Sequence, residues 1–146
     1  MDKIDDDLLR AMMLAHRPDF DPEMSFQPIR TGKFNDSWFV TGEHEELVLR
    51  VAPSPGSVFC FYERDMMRQE PGIHALLRRE TSIPVARIEA FDDSHDVIDR
   101  DYLLMERLPG RPLTDAPGVN GRRVLRQVGG HLRQAHNITA DQYGYL

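Results

Sequence analysis

Arg50 is the residue of this 146-residue chain whose surroundings most constrain its chemistry. It lies in Leu47-Val48-Leu49-Arg50-Val51, where the two-residue period of a strand puts it on one face with Val48 and Ala52, opposite Leu47, Leu49 and Val51. A cation among small apolar neighbours is costly to bury unless an anion meets it. The guanidinium is a planar fork that stays charged at physiological pH and suits bidentate contact with phosphate or carboxylate. An arginine on a solvent-facing edge strand is the alternative. Glu70, on the helix expected after this strand, is the carboxylate that should pair with Arg50. Glu63, nearer the strand, and Glu80, at the helix end beside Thr81-Ser82, compete with it.

Two further segments fit the holding of a phosphorylated ligand. In Gly32-Lys33-Phe34-Asn35-Asp36 a glycine at a bend between strands lets backbone N–H groups approach phosphate oxygens. Taken singly, Gly32 and Asn35 also suit an ordinary hairpin turn. The run Leu103-Leu104-Met105-Glu106-Arg107-Leu108-Pro109-Gly110 reads as a buried strand passing into an extended connector. A connector of that kind offers backbone C=O and N–H groups to the polar edge of a base, with Met105 and Val48 closing an apolar slot around the ring. By itself this segment also fits a core strand that leads to a turn.

Other chemistries find no support. His131 and His136 lie five apart, which is not the i, i+4 spacing of a two-histidine metal site, and His16, His44, His74 and His95 are scattered among helix ends and turns. No Gly-x-Ser-x-Gly elbow occurs, and Cys60, in Val58-Phe59-Cys60-Phe61, reads as a small buried hydrophobe without a histidine partner. The Asp5-Asp6-Asp7 run faces several directions on a helix, so it reads as capping and solvation and not as a metal cluster.

The elements that must position these residues follow from periodicity. Ile4, Leu8, Met12 and Ala15 give helical spacing over Asp5 to His16, ended by Pro18 and Pro22. Phe26 to Ala52 divides into three antiparallel strands, broken at Gly32 and at Gly42-Glu43-His44-Glu45-Glu46. A helical stretch is expected from about Tyr62 to Arg79, its regular part beginning near Gln69 or Glu70 because Pro71 suits a first turn. A second hairpin follows, with strands from Ala86 to Phe91 and up to Met105 around the polar turn Asp92 to Asp96. Arg122 to His136 returns to helical period through Val124, Leu125, Val128, Leu132 and Ala135.

With 40% hydrophobic and 29% charged residues, the chain suits one globular domain, or one lobe with a stub of the next. A net charge of -6 argues against a nucleic-acid surface. One cysteine fits a reducing compartment. The amino terminus lacks the layout of a secretory signal, and no apolar run reaches membrane-spanning length, so a soluble cytoplasmic protein is expected.

Taken in order, Gly32-Lys33-Phe34-Asn35-Asp36-Ser37, Val48-Leu49-Arg50-Val51, Gln69-Glu70, Ile83-Pro84-Val85-Ala86 and Leu103 to Gly110 resemble the aminoglycoside phosphotransferase family of kinase-like enzymes. The resemblance continues through Val128-Gly129-Gly130-His131-Leu132-Arg133-Gln134-Ala135-His136, similar to the family's first large-lobe helix, and Tyr143-Gly144-Tyr145. It implies an α+β fold: a protein-kinase-like small lobe with a five-stranded antiparallel sheet and a packed helix, plus one helix at each end. Residues 1–22 would form an N-terminal helical segment, 23–110 the small lobe with its hinge, and 111–146 a linker and the first helix of a truncated large lobe.

The resemblance further implies ATP between lobes, with Mg in the complete enzyme, and a small-molecule hydroxyl as acceptor. Gly32, Asn35, Val48, Arg50, Glu70, Met105, Glu106 and Leu108 would form the cofactor site. Arg50 would meet the α and β phosphates and Glu70 would hold Arg50. The family's His-Gly-Asp-x-x-x-x-Asn loop and later metal-binding Asp are not found. His95-Asp96 and Arg100-Asp101, the nearest approximations, precede the connector and receive no catalytic role. The expectation is the nucleotide-binding portion of a phosphotransferase, inactive alone. A non-catalytic module that associates through its exposed lobe face is the alternative.

Overall fold

In the computed structural model, residues 4–30, 34–54 and 66–141 are described. The element order is helix α1 (Asp6–His16), strands β1 (Ser25–Pro28), β2 (Asp36–Thr41) and β3 (Glu46–Val51), helix α2 (Met66–Glu80), strands β4 (Ile88–Asp92) and β5 (Tyr102–Glu106), a short 3-10 turn (Leu113–Asp115) and helix α3 (Gly121–His136). The strands make one antiparallel sheet in the order β1-β2-β3-β5-β4. This is the five-stranded α+β arrangement expected, with β4 at one edge.

Helix α1 starts where Asp5 accepts the Leu8 N–H at 3.0 Å, with Asp6 and Asp7 in its first turn and His16 in its last, the charge order that suits the helix dipole. Its buried stripe is Leu9, Met12 and Met13, while Ile4 and Leu8 are only partly covered and Ala15 is exposed. The inward face is therefore rotated from the Ile4–Leu8–Met12–Ala15 stripe that sequence spacing favoured. The reason is tertiary: the residues at 9, 12 and 13 meet the sheet, and a stripe chosen by hydropathy alone has two acceptable phases here.

Strand β3 is the centre of the sheet and alternates as a strand with one dry face must. Leu47, Leu49 and Val51 are buried, and Val48 and Arg50 are half-buried on the other side. The dry face joins Val40, Tyr102 and Leu104 to α1 and to Phe20 and Met24 of the α1–β1 connection. Each fully buried side chain of this size contributes about 1.5–3 kcal/mol.

Among the described residues helix α2 runs over Met66–Glu80 and carries Pro71 in its interior, not in a first turn. Pro71 has no N–H to give to the Met67 carbonyl. The helix is held just before this point by two arginine–carboxylate pairs, one from Arg68 and one through Glu70. Arg68 bonds both oxygens of Asp101, at 2.8 and 3.1 Å. Helix α3 is capped by Asn120, whose side chain accepts the Arg123 N–H at 3.2 Å, and Gln134 accepts bonds from the Ser82 N–H and hydroxyl at 2.8 and 3.0 Å. None of its residues is buried, and Leu125 is 70% exposed.

The far end of the β4–β5 hairpin is fixed by two carboxylates, half-buried Asp92 and buried Asp101. Asp92 accepts from His16 Nε2 at 2.8 Å, from the Tyr102 hydroxyl at 3.1 Å, and from the Ser94 backbone and hydroxyl at 2.9 and 2.7 Å. Burial by itself would raise the Asp92 pKa, but these donors outweigh it and hold the carboxyl at about 2. The Tyr102 phenol is pushed up, first by burial and then by Asp92. Because the folded pKa of Asp92 lies below its ordinary 3.8, the associated stability is complete above that value and is lost as pH falls towards 2. Urea denaturation between pH 5 and 2 should show Asp92→Asn losing about 2 kcal/mol of this acid sensitivity; equal pH slopes in variant and parent would contradict the assignment.

Candidate functional site

The site is built on the sheet face turned away from α1. Strand register sets two parallel rows of side chains across it. Phe39 is opposite Val48, Val48 opposite Met105, and Met105 opposite Ile88. In the next row Ser37 is opposite Arg50, Arg50 opposite Leu103, and Leu103 opposite Phe91. Val48 and Met105, expected to enclose a ring, are thus direct cross-strand neighbours.

Arg50 and Glu70 are joined as expected. Arg50 donates from Nη2 to Glu70 Oε1 at 3.0 Å and from Nη1 to Oε2, a two-pronged contact between β3 and α2. Their side chains are 24% and 21% exposed, so the pair is neither solvated nor sealed. That setting keeps the cation partly open to an additional anion. Of the competing carboxylates, Glu80 is exposed and bonds Arg79 beside it at 2.6 Å. Glu63 lies outside the described residues.

The remaining expected positions are less closely gathered. Glu106 ends β5; its N–H donates to the Arg87 carbonyl at 2.8 Å and its carboxylate accepts the Arg87 N–H at 3.0 Å. Leu108 is 42% exposed in the connector, and Gly110 has φ of 148°, a conformation that side chains disfavour. Asn35 is half-buried in the bend before β2. Gly32, Cys60 and Tyr143-Gly144-Tyr145 lie outside the described residues.

Three contacts at or near this face were not anticipated. Arg107 lies over the Phe39 ring, 4.0 Å from its centroid, and bonds Glu46 at 2.8 Å, covering the end of the Phe39–Val48–Met105 row. Its position two residues after Met105 was the available signal. Arg100 reaches Asp36 at 3.1 Å and, at 3.4 Å, both the Ala52 carbonyl and the Ser54 hydroxyl, tying the start of β2 to the end of β3. Asp101, buried, accepts from Arg68 and from His95 Nε2 at 2.8 Å. Burial opposes its ionisation, yet Arg68 and His95 keep its pKa below the ordinary value. Asp101 is therefore a hairpin anchor.

The face combines a half-open guanidinium, fixed by a carboxylate, with an adjoining apolar row and a strand end. It fits an anionic group joined to a flat apolar body. No group of three His, Cys, Asp or Glu side chains able to hold a metal occurs among the described residues, so none of them is assigned to Mg. No helix among the described residues is long and apolar enough to cross a membrane.

Residues 25–145 match the family model of the phosphotransferase enzyme family. No curated protein matches the chain significantly. Among solved structures, the chain is similar to a "putative aminoglycoside phosphotransferase" from Ralstonia eutropha, with 25% sequence identity and a TM-score of 0.55. The match covers 81% of this chain and 32% of that protein, so the chain spans about a third of its length. The sheet order and helices are accordingly those of a kinase-like small lobe. A family match over this span, on a fold of this kind, places the chain in the phosphotransferase enzyme family.

Proposed function

We propose that the chain is the nucleotide-binding portion of an ATP-dependent phosphotransferase whose acceptor is a small-molecule hydroxyl, of the aminoglycoside type or a related one. The observation that carries this reading is the Arg50–Glu70 pair beside the Val48–Met105 row. In it Arg50 meets the phosphates, Glu70 fixes the direction of the guanidinium, Val48 and Met105 pack on the base, and the backbone at Glu106 and Leu108 meets its edge. Asn35, in the bend before β2, would lie near the phosphates, and the role of Gly32 rests on the family resemblance alone. ATP, when bound, supplies the phosphoryl group to be transferred, with Mg in the complete enzyme.

Residues 23–110 act as the small lobe and hinge on this reading, 1–22 as its N-terminal helical segment, and 111–146 as the link to a second lobe. The setting is cytoplasmic, in accord with the single cysteine.

Isothermal titration calorimetry with ATP tests the cradle directly. Arg50→Ala should weaken binding by about 10- to 100-fold, the scale of a charge-assisted contact, while Glu70→Gln should weaken it less by loosening Arg50. Unchanged affinity in a folded Arg50→Ala variant would refute the placement of the phosphates.

Phosphoryl transfer needs an oriented acceptor and charge stabilisation beyond the cradle. The 146-residue chain mixed with ATP and an aminoglycoside should give no enzyme-like transfer in an ADP-release or mass-spectrometric assay. Turnover at such a rate would overturn the fragment reading.

The exposed face of α3 favours a second reading, a non-catalytic module that associates through its uncovered lobe face. Leu125, Val128 and Leu132 are 70%, 53% and 53% exposed. Sedimentation at high concentration separates the two: self-association abolished by Leu132→Glu supports the module, and a clean monomer opposes it.

A further inference from the structure

A groove of about 560 Å³ runs between α2 and strand β4. Its helix wall carries Pro71, Arg78 and Arg79, and its other wall is the whole stretch from Arg87 to Phe91. Ile88 and Phe91 stand on the sheet face that α2 covers, which gives the groove an apolar floor under a basic rim. Strand β4 is also an edge of the sheet, paired only with β5. An edge strand offers backbone groups to another extended chain.

The charge in this groove runs against the chain's net -6. Arg78, Arg79 and Arg87 line it, their side chains 44%, 68% and 63% exposed. The one lining carboxylate, Glu89, is already met by Arg87 at 2.7 Å and by Arg17 at 2.8 Å. Arg79 bonds its neighbour Glu80, and Arg78 bonds the Val85 carbonyl at 2.8 Å. The exposed Arg79–Glu80 pair is weak in water, and Glu89 keeps its bond from Arg17 if Arg87 turns away, so Arg79 and Arg87 can turn to a better-placed carboxylate. An occupant with acidic and apolar side chains in alternation would set its acids on the rim, its apolar groups on Ile88 and Phe91, and its backbone along β4.

We propose that the α2–β4 groove docks an acidic, extended peptide segment of a partner protein by strand addition to β4. The inference does not depend on nucleotide binding.

Fluorescence anisotropy on the 146-residue chain tests it, with a labelled Glu-Val-Glu-Phe-Glu-Val peptide as the probe and a peptide with Lys in place of each Glu as the control. The acidic peptide should bind at least tenfold more tightly than the basic one, weaken with added salt, and protect β4 amides from hydrogen exchange. Arg79→Gln and Arg87→Gln should each weaken it threefold or more, and Glu80→Gln, which frees Arg79, should tighten it. If either arginine variant fails to fold, Glu80→Gln and the exchange pattern still decide. Equal binding of the basic peptide, unchanged affinity in the folded variants, no protection at β4, or equal competition by free glutamate at the peptide's concentration would overturn the proposal.

Discussion

The contact between Arg50 and Glu70 does for the site what the apolar core does for the fold. A guanidinium on the middle strand, with Val48 on its own face, cannot stay half-buried without a counter-charge, and α2 provides one. The same contact fixes α2 on the sheet and fixes the cation's direction. The forked geometry matters more than the sum of charge, because two bonds in one plane leave the guanidinium a single orientation. Arg68 and Asp101 repeat the device half a turn away along α2, so the helix is held at two places before Pro71 interrupts its bonding.

A sheet with one dry face and one mixed face separates stability from chemistry. The dry face spends its side chains on α1 and is continuous from Val40 through Leu49 to Leu104. The mixed face gives up some apolar contact at Arg50, yet the cost is contained because the row beside it, from Phe39 to Ile88, remains apolar. Asp92 and Asp101 play the corresponding part at the hairpin end. Each is a carboxylate kept ionised in a confined place by several donors, which makes the hairpin specific in register as well as stable.

What could be read from the sequence follows the range of the physics involved. The alternation in Leu47 to Val51 is local and period two, so the two faces of β3 and the place of Arg50 beside Val48, opposite Leu47, Leu49 and Val51, were legible. Glu70 was legible because a crossover helix can present few acidic residues to that strand. The α1 stripe was misphased, since Leu9 and Met13 fit helical spacing as well as Leu8 and Ala15 do, and only the sheet beneath distinguishes them. Pairs such as Arg68 with Asp101, or Arg100 with Asp36, join residues 33 and 64 positions apart and leave no periodic trace. Arg107 over Phe39 depends on how a connector leaves a strand, which residue types alone do not specify.

The packing of α1 has a bearing on what counts as the unit of this lobe. The recognisable family pattern begins at residue 25, yet Leu9, Met12, Met13, Phe20 and Met24 belong to the same buried cluster as Val40, Leu49 and Leu104. The inherited signature and the mechanical body therefore have different edges. A boundary drawn where similarity starts would leave the sheet's dry face uncovered, and the strand that presents Arg50 would lose its apolar backing.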